Sequence, residues 1–152
     1  LNNTVTNVLW ANVTSISGFT LNANSTATCT VSGVYKIDYS LQFANTDNAA
    51  HDADVWLKVN GTDVVESGTR FTVGARKSAG VPTYVCGYSH VTFPVNAGDV
   101  IGLEWATDKG ATANASADGI YIIGVASSSS PYVRPSIPSA IGTIAFISAP
   151  TS

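Results

Sequence analysis

Apolar and polar residues alternate along much of this chain with a period of two. The clearest stretch is VYKIDYSLQF at 34–43, where odd-numbered positions are apolar or aromatic and even-numbered positions include Lys36, Asp38, Ser40 and Gln42. Such alternation places one face of an extended strand against a core and the other face in water. The segment therefore predicts a half-buried β-strand.

Similar strand-forming runs recur between turn signals, and no amphipathic helical pattern interrupts them. This arrangement is typical of a β-sandwich or barrel. The predicted strands are 5–10, 18–21, 27–31, 34–45, 53–60, 63–67, 70–73, 84–95, 100–107, 119–126 and 141–148. The Ser- and Pro-rich segment 127–139 predicts a crossover before the last strand, because proline cannot pair inside a sheet.

Two tight turns are predicted from residues that tolerate positive φ. The run VWLKVNG ends in Asn60-Gly61, which favours a hairpin. The run VNAGDV places Gly98-Asp99 between two apolar strands.

The last strand breaks the alternation. In SAIGTIAFI at 139–147, the apolar residues fall on both faces of an extended strand. If one face packs on the core, we expect Ile144 and Phe146 to lack a partner within a monomer. Our interpretation is that two further copies of the same chain cover them.

Length and composition restrict the class of protein. The 152 residues suit one domain, 1–152, in which 1–17 is an N-terminal strand or a connection to an upstream stalk. The net charge of -3 argues against a nucleic-acid partner, and the lack of a long apolar run argues against membrane insertion. Only 11% of residues are charged, so Ser, Thr and Asn form the polar surface, as in many extracellular and virion proteins.

Catalytic chemistry has little support in the sequence. There are two histidines, His51 and His90, and no nucleophile-elbow motif. His90 shares a strand face with Tyr88, which favours an interface or surface role. A cupin-type enzyme would need a cluster of metal-binding histidines. We therefore expect a protein that is not an enzyme.

Oxygen-bearing side chains are concentrated in NTDNAAHDAD at 45–54. Asp47, Asp52 and Asp54 would be the ligands if Ca²⁺ bound there. However, the spacing does not match an EF-hand, and such loops usually form turns that face water. The prediction is no cofactor and no metal.

Two cysteines and three aromatic residues leave alternatives open. Cys29 and Cys86 allow one disulfide, or they are two thiols within strands. Trp56, Tyr84 and Tyr88 lie opposite the core face of their strands. A neighbouring subunit is the favoured cover for the tyrosines. For Trp56, coverage and sugar or receptor contact remain equally open.

The order of motifs resembles a known superfamily. The strand GVYKIDYSLQF follows a short strand ending in CTV, and then come VWLKVNG, HVTFPVNAGDVIGLEW and AIGTIAFI. Over most of 18–148 this is similar to the jelly roll of the tumour necrosis factor and complement C1q families. The resemblance implies an all-β, ten-stranded jelly-roll sandwich that forms a homotrimer.

The resemblance and the exposed faces together predict the residues of the trimer interface. These are Lys36, Asp38, Tyr84, Tyr88, His90, Ile144 and Phe146. The predicted structural turn positions are Gly33, Asn60, Gly61, Gly98 and Asp99. Lys36 and Asp38 depart from the family pattern, which has apolar or aromatic residues there, and so imply a polar layer at the axis or a looser trimer.

The style of the sequence resembles jelly-roll domains of bacteriophage virion proteins. We therefore expect a fibre tip, knob or capsid decoration on the virion surface, or an otherwise extracellular protein. Its partners would be itself, other virion proteins and a host glycan or receptor, met by the loops 45–54, 76–82 and 109–118. The alternative is a carbohydrate-binding, lectin-like module of the same architecture.

Overall fold

The computed structural model describes residues 5–9, 17–110 and 118–150. These residues form eleven strands and no helix that could cross a membrane. The strands are β1 (Thr6–Asn7), β2 (Phe19–Leu21), β3 (Ala27–Cys29), β4 (Gly33–Asn45), β5 (His51–Val59), β6 (Thr62–Asp63), β7 (Thr69–Val73), β8 (Thr83–Val95), β9 (Val100–Thr107), β10 (Ile120–Ile122) and β11 (Ala140–Ser148).

Two antiparallel sheets make up the fold. The seven-stranded sheet has the order β2-β3-β9-β5-β6, with β1 also paired to β9 and β7 to β5. The four-stranded sheet is centred on β4, which pairs with β8 on one side and with β10 and β11 on the other. The core lies between the sheets, because the inward residues of β4 and of β5 belong to the same buried clusters.

The alternation predicted for 34–43 is confirmed. Residues Tyr35, Ile37, Tyr39, Leu41 and Phe43 are all buried, while the residues between them are half-exposed. Several predicted strands are shorter than expected. Only Ile120–Ile122 of 119–126 is a strand, and of 5–10 the structure describes 5–9, with Thr6–Asn7 paired.

The interpretation of the last strand is wrong in one respect. Ile144 lies opposite Ile37 and Phe146 opposite Tyr35, and directly paired residues share a face of the sheet. Ile144 packs against the core, and the Phe146 ring meets the Tyr35 ring edge-on at 5.4 Å between centroids. Both residues therefore have partners within the chain, although Phe146 is 53% exposed at the end of the sheet.

The predicted turns are present. Asn60 and Gly61 have φ values of 50° and 79° and join β5 to β6, and Gly98 has a φ of 95° before β9. Gly33 at the start of β4 has a different role. A side chain there would lie 2.4 Å from the Phe146 ring, so the absent Cβ lets that ring close over the strand.

The predicted crossover joins β10 to β11. It returns on itself through the bridges Val125–Ile137 and Ser128–Arg134. Its tip exposes Tyr132 and Val133 to solvent, at 67% and 85% of their surface.

Candidate functional site

The outward side of the four-stranded sheet collects most of the predicted interface residues. We call it the association face and define it by Lys36, Asp38, Tyr84, Tyr88, His90 and Ile141. Register aligns these residues in rows across the strands, because His90 pairs with Asp38 and Thr143 also pairs with Asp38 from the other side. In the next row, Ser40 separates Tyr88 from Ile141.

A polar group occupies the middle of the association face. Asp38 Oδ1 lies 2.9 Å from Lys36 Nζ and accepts a hydrogen bond of 2.8 Å from the Tyr88 hydroxyl. Chiefly through the Lys36 contact, these interactions hold the pKa of Asp38 below its usual value. The Tyr88 ring also approaches His90, with 6.5 Å between ring centroids. The charges on this face are thus already paired within the chain.

Three large side chains on the same face remain open to solvent. Tyr84, Tyr88 and Ile141 are exposed over 43%, 59% and 54% of their surface. Of the predicted interface set, the structure brings Lys36, Asp38, Tyr84, Tyr88 and His90 onto this face. Ile144 and Phe146 point to the other side of the sheet, as described above. The apolar contribution of β11 to the face is Ile141, which the sequence reasoning did not assign to an interface.

One end of the sandwich is organised by Asn45, which is completely buried. Its side-chain nitrogen donates to the carbonyls of Ala49, Val73 and Gly74 at 2.9, 3.1 and 3.0 Å. Its oxygen accepts from the backbone of Asp47 at 2.9 Å. The prediction that 45–54 faces outward is therefore wrong for its first residues, and the Asn45 amide joins the end of β4 to the end of β7.

Asp47 holds a second junction at the same end. Its buried carboxylate contacts Lys109 and lies 2.7 Å from His51 Nε2, and these contacts, led by Lys109, hold its pKa well below its usual range. The other His51 nitrogen lies 3.2 Å from Asp108 Oδ2. Burial of the imidazole opposes its charge, but the two carboxylates outweigh this and raise the pKa of His51. Residues 111–117 of the third predicted loop lie outside the described residues.

The carboxylates considered as Ca²⁺ ligands do not converge. Asp54 receives two hydrogen bonds from Arg70, and Asp52 accepts one from Thr72. Asp47 is occupied by Lys109, as described above. Within the described part of the chain, no three His, Cys, Asp or Glu side chains are arranged to hold a metal ion.

The cysteines are separate thiols. Cys29 is buried in β3 of the seven-stranded sheet, whereas Cys86 is exposed on β8 of the four-stranded sheet. Of the two alternatives left open by the sequence, the structure therefore shows the unbonded one.

Comparison with known proteins adds to this geometry. The sequence matches no family model and no curated protein. Among solved structures 54 chains match. One is Eiger TNF from S. frugiperda, with a TM-score of 0.50 and 11% identity, covering 88% of this chain and 71% of that chain. The chain has a tumour necrosis factor-like jelly-roll fold.

Proposed function

We propose that this protein is a non-enzymatic, self-associating jelly roll that forms a homotrimer through the association face. The observation that carries the proposal is the solvent exposure of Tyr84, Tyr88 and Ile141 on one face of the sheet. Large exposed apolar and aromatic side chains grouped on one face favour burial against a partner. The resemblance to trimeric jelly rolls supports a second and third copy of the same chain as that partner.

The polar centre of the face is compatible with burial. Removing an unpaired charge from water is costly, whereas a paired and hydrogen-bonded one is tolerated. Asp38 already contacts both Lys36 and Tyr88, so association would bury a satisfied group. Lys36 and Asp38 depart from the apolar family pattern, and in the proposed trimer they would form a polar layer inside the interface.

The biological role that we propose is an appendage of a virion, such as a fibre tip, knob or capsid decoration. It is supported by the low content of charged residues and by the resemblance to bacteriophage jelly-roll domains. Three copies would display three identical sets of surface sites. Weak contacts of each site with a host surface would then add up through avidity.

Light scattering coupled to size exclusion tests the assembly at micromolar concentration. We expect three times the mass of one chain, and we expect Tyr88→Arg to yield monomers because it places a new charge in the interface. Tyr132→Arg is the matched control, since Tyr132 is similarly exposed but lies in the crossover. A monomeric wild type, or a Tyr88→Arg variant that still forms trimers, would refute the proposed assembly.

The virion role needs a separate experiment. Antibodies against this chain should label the surface of purified particles in immunogold electron microscopy. Particles that carry no label would contradict the role while leaving the trimer intact.

A further inference from the structure

The seven-stranded sheet carries a shallow depression on its outward side, whereas the association face belongs to the four-stranded sheet. We call it the Trp56 depression, and its lining comes from β5, β6, β7 and the residues between them. The lining residues are Asp54, Trp56, Asp63, Val64, Gly68, Thr69 and Arg70.

The apolar part of the depression is held in a defined orientation. Trp56 is half-buried, and its indole nitrogen donates a hydrogen bond of 2.8 Å to Asp63 Oδ1. Val64 lies beside it in the lining. A rigid aromatic surface loses little conformational entropy when a ligand stacks on it, which favours binding.

The polar part of the depression is also preorganised. Arg70 donates from Nε and Nη2 to the two oxygens of Asp54 at 2.7 and 2.8 Å, in a two-pronged pairing that fixes both groups. No described residue donates a hydrogen bond to Asp63 Oδ2, which therefore has acceptor capacity left. Arg70 Nη1 lies 3.8 Å from Asp52 Oδ2, which is too far for a hydrogen bond, so this nitrogen retains donors for a ligand.

The charges of this region do not favour an anion. Asp54 is paired with Arg70. Lys58 Nζ lies 3.6 Å from Asp63 Oδ1 and 2.8 Å from Glu104 Oε2, so one lysine faces two carboxylates. An anionic ligand would therefore gain no net attraction here. The depression instead offers hydrogen-bond donors of Arg70 and acceptors of Asp63 beside the flat indole ring of Trp56.

We propose that the Trp56 depression binds a neutral pyranose of a glycan. A pyranose has one apolar face of C–H groups and a rim of hydroxyls that both donate and accept hydrogen bonds. The first would stack on the indole of Trp56, and the second would meet Asp63 and Arg70. Because the depression is open, each site would bind weakly, and three copies in the proposed trimer would supply avidity.

Saturation-transfer NMR tests the proposal with the methyl glycosides of glucose, galactose, mannose and N-acetylglucosamine, and with N-acetylneuraminic acid as a charged comparator. We expect transfer to at least one neutral glycoside. Trp56→Ala should weaken its binding by about tenfold or more, since stacking and lost contact area each contribute. Thermal unfolding of the variant checks that it remains folded.

A second variant leaves the binding groups in place. A Cβ added at Gly68 meets no atom within 4 Å, so Gly68→Leu should fold normally and fill the depression. It should abolish sugar binding, whereas Tyr132→Ala, at an exposed aromatic elsewhere, should leave it unchanged. Failure to bind any neutral glycoside, preference for the anionic comparator, or full binding by Gly68→Leu would each overturn the proposal. The same saturation-transfer measurement on the Tyr88→Arg variant, which we expect to be a monomer, separates a failure of sugar binding from a failure of trimerisation.

Discussion

The side-chain amide of Asn60 donates a hydrogen bond of 2.7 Å to Asp99 Oδ1, which joins two turns 39 residues apart in sequence. The Asn60 oxygen accepts from the backbone of Val100, and Asp99 Oδ2 accepts from the backbone of Asn96, both at 2.8 Å. Asp99 thus bonds within its own turn and to Asn60, whereas both side-chain groups of Asn60 bond to the neighbouring turn. The two tight turns recognised separately in the sequence form a single unit.

Removing this unit should lower stability. We expect Asp99→Ala to reduce the free energy of unfolding at neutral pH by about 1 kcal/mol, the usual value of such hydrogen bonds. Asn60→Gly preserves the positive φ while deleting the same side-chain bond. Urea unfolding of both variants and of the double variant measures the coupling. Strictly additive effects would show that the two turns are independent.

Acid should remove the same contribution. The Asn96 backbone N–H, followed by the Asn60 amide, lowers the pKa of Asp99 below the unfolded value of 3.8. Stability from this group is therefore present above pH 3.8 and lost as the pH falls through the folded pKa. The difference in unfolding free energy between wild type and Asp99→Ala should shrink in that range. A difference that stays constant down to about pH 2 would contradict this assignment.

Loss of the hydroxyl group should change the stability of the fold in opposite directions at two buried tyrosines of β4. Tyr35 donates a hydrogen bond of 2.6 Å to the carbonyl of Val31, whereas the Tyr39 hydroxyl is buried with no partner among the described residues. We expect Tyr39→Phe to stabilise the fold and Tyr35→Phe to destabilise it, each by about 1 kcal/mol. Both side chains are at most 3% exposed, so burial is matched. Equal effects in thermal or urea unfolding would contradict the prediction.

Local patterns predicted this fold where the deciding information was local. The alternation around Lys36 and Asp38 depends on neighbours two residues away, and the Asn60 and Gly98 turns depend on backbone preference. These features placed the side chains of Lys36, Asp38, Tyr84, Tyr88 and His90 on the outward face of β4 and β8. They also gave both ends of six of the eleven described strands to within one residue.

The misplaced residues depend on distant partners. The facing of Ile144 and Phe146 is set by register with β4, and the register shifts between Phe146 and Ser148, so an irregular pattern in β11 alone could not reveal it. In the sequence Asn45 lies where the predicted strand 34–45 meets the Asp-rich segment, and nothing there indicates that it is buried. Its acceptors at Val73 and Gly74 are 28 and 29 residues away, and only the folded chain brings them together.

Gly33 tests the corrected position of Phe146. A Cβ at Gly33 would lie 2.4 Å from the Phe146 ring and 2.9 Å from the Ser148 carbonyl oxygen. We expect Gly33→Ala to displace the end of β11 and to cost about 1–3 kcal/mol, as overpacking does. Gly74→Ala is the control, because nothing lies within 4 Å of its added Cβ. If the two variants unfold at the same urea concentration, Phe146 does not pack over Gly33.

His51 should make stability depend on pH near neutrality. Both of its ring nitrogens face carboxylates, Asp47 at 2.7 Å and Asp108 at 3.2 Å, and only the imidazolium can donate to both. The contacts raise its folded pKa above the unfolded 6.5, so this stability is full below pH 6.5 and is lost as the pH rises through the folded value.

The expected result is a decline in the unfolding free energy of the wild type as the pH rises above 6.5 and through the folded pKa, and His51→Gln should remove this decline. NMR titration in a His90→Gln background, which leaves a single histidine, measures the folded pKa directly. Asp108→Asn should lower this pKa, because it removes one of the two carboxylates while leaving the buried Asp47 contact. A His51 pKa at or below 6.5 in the otherwise intact protein, or one unmoved by Asp108→Asn, would show that the imidazolium does not bridge the two carboxylates in solution.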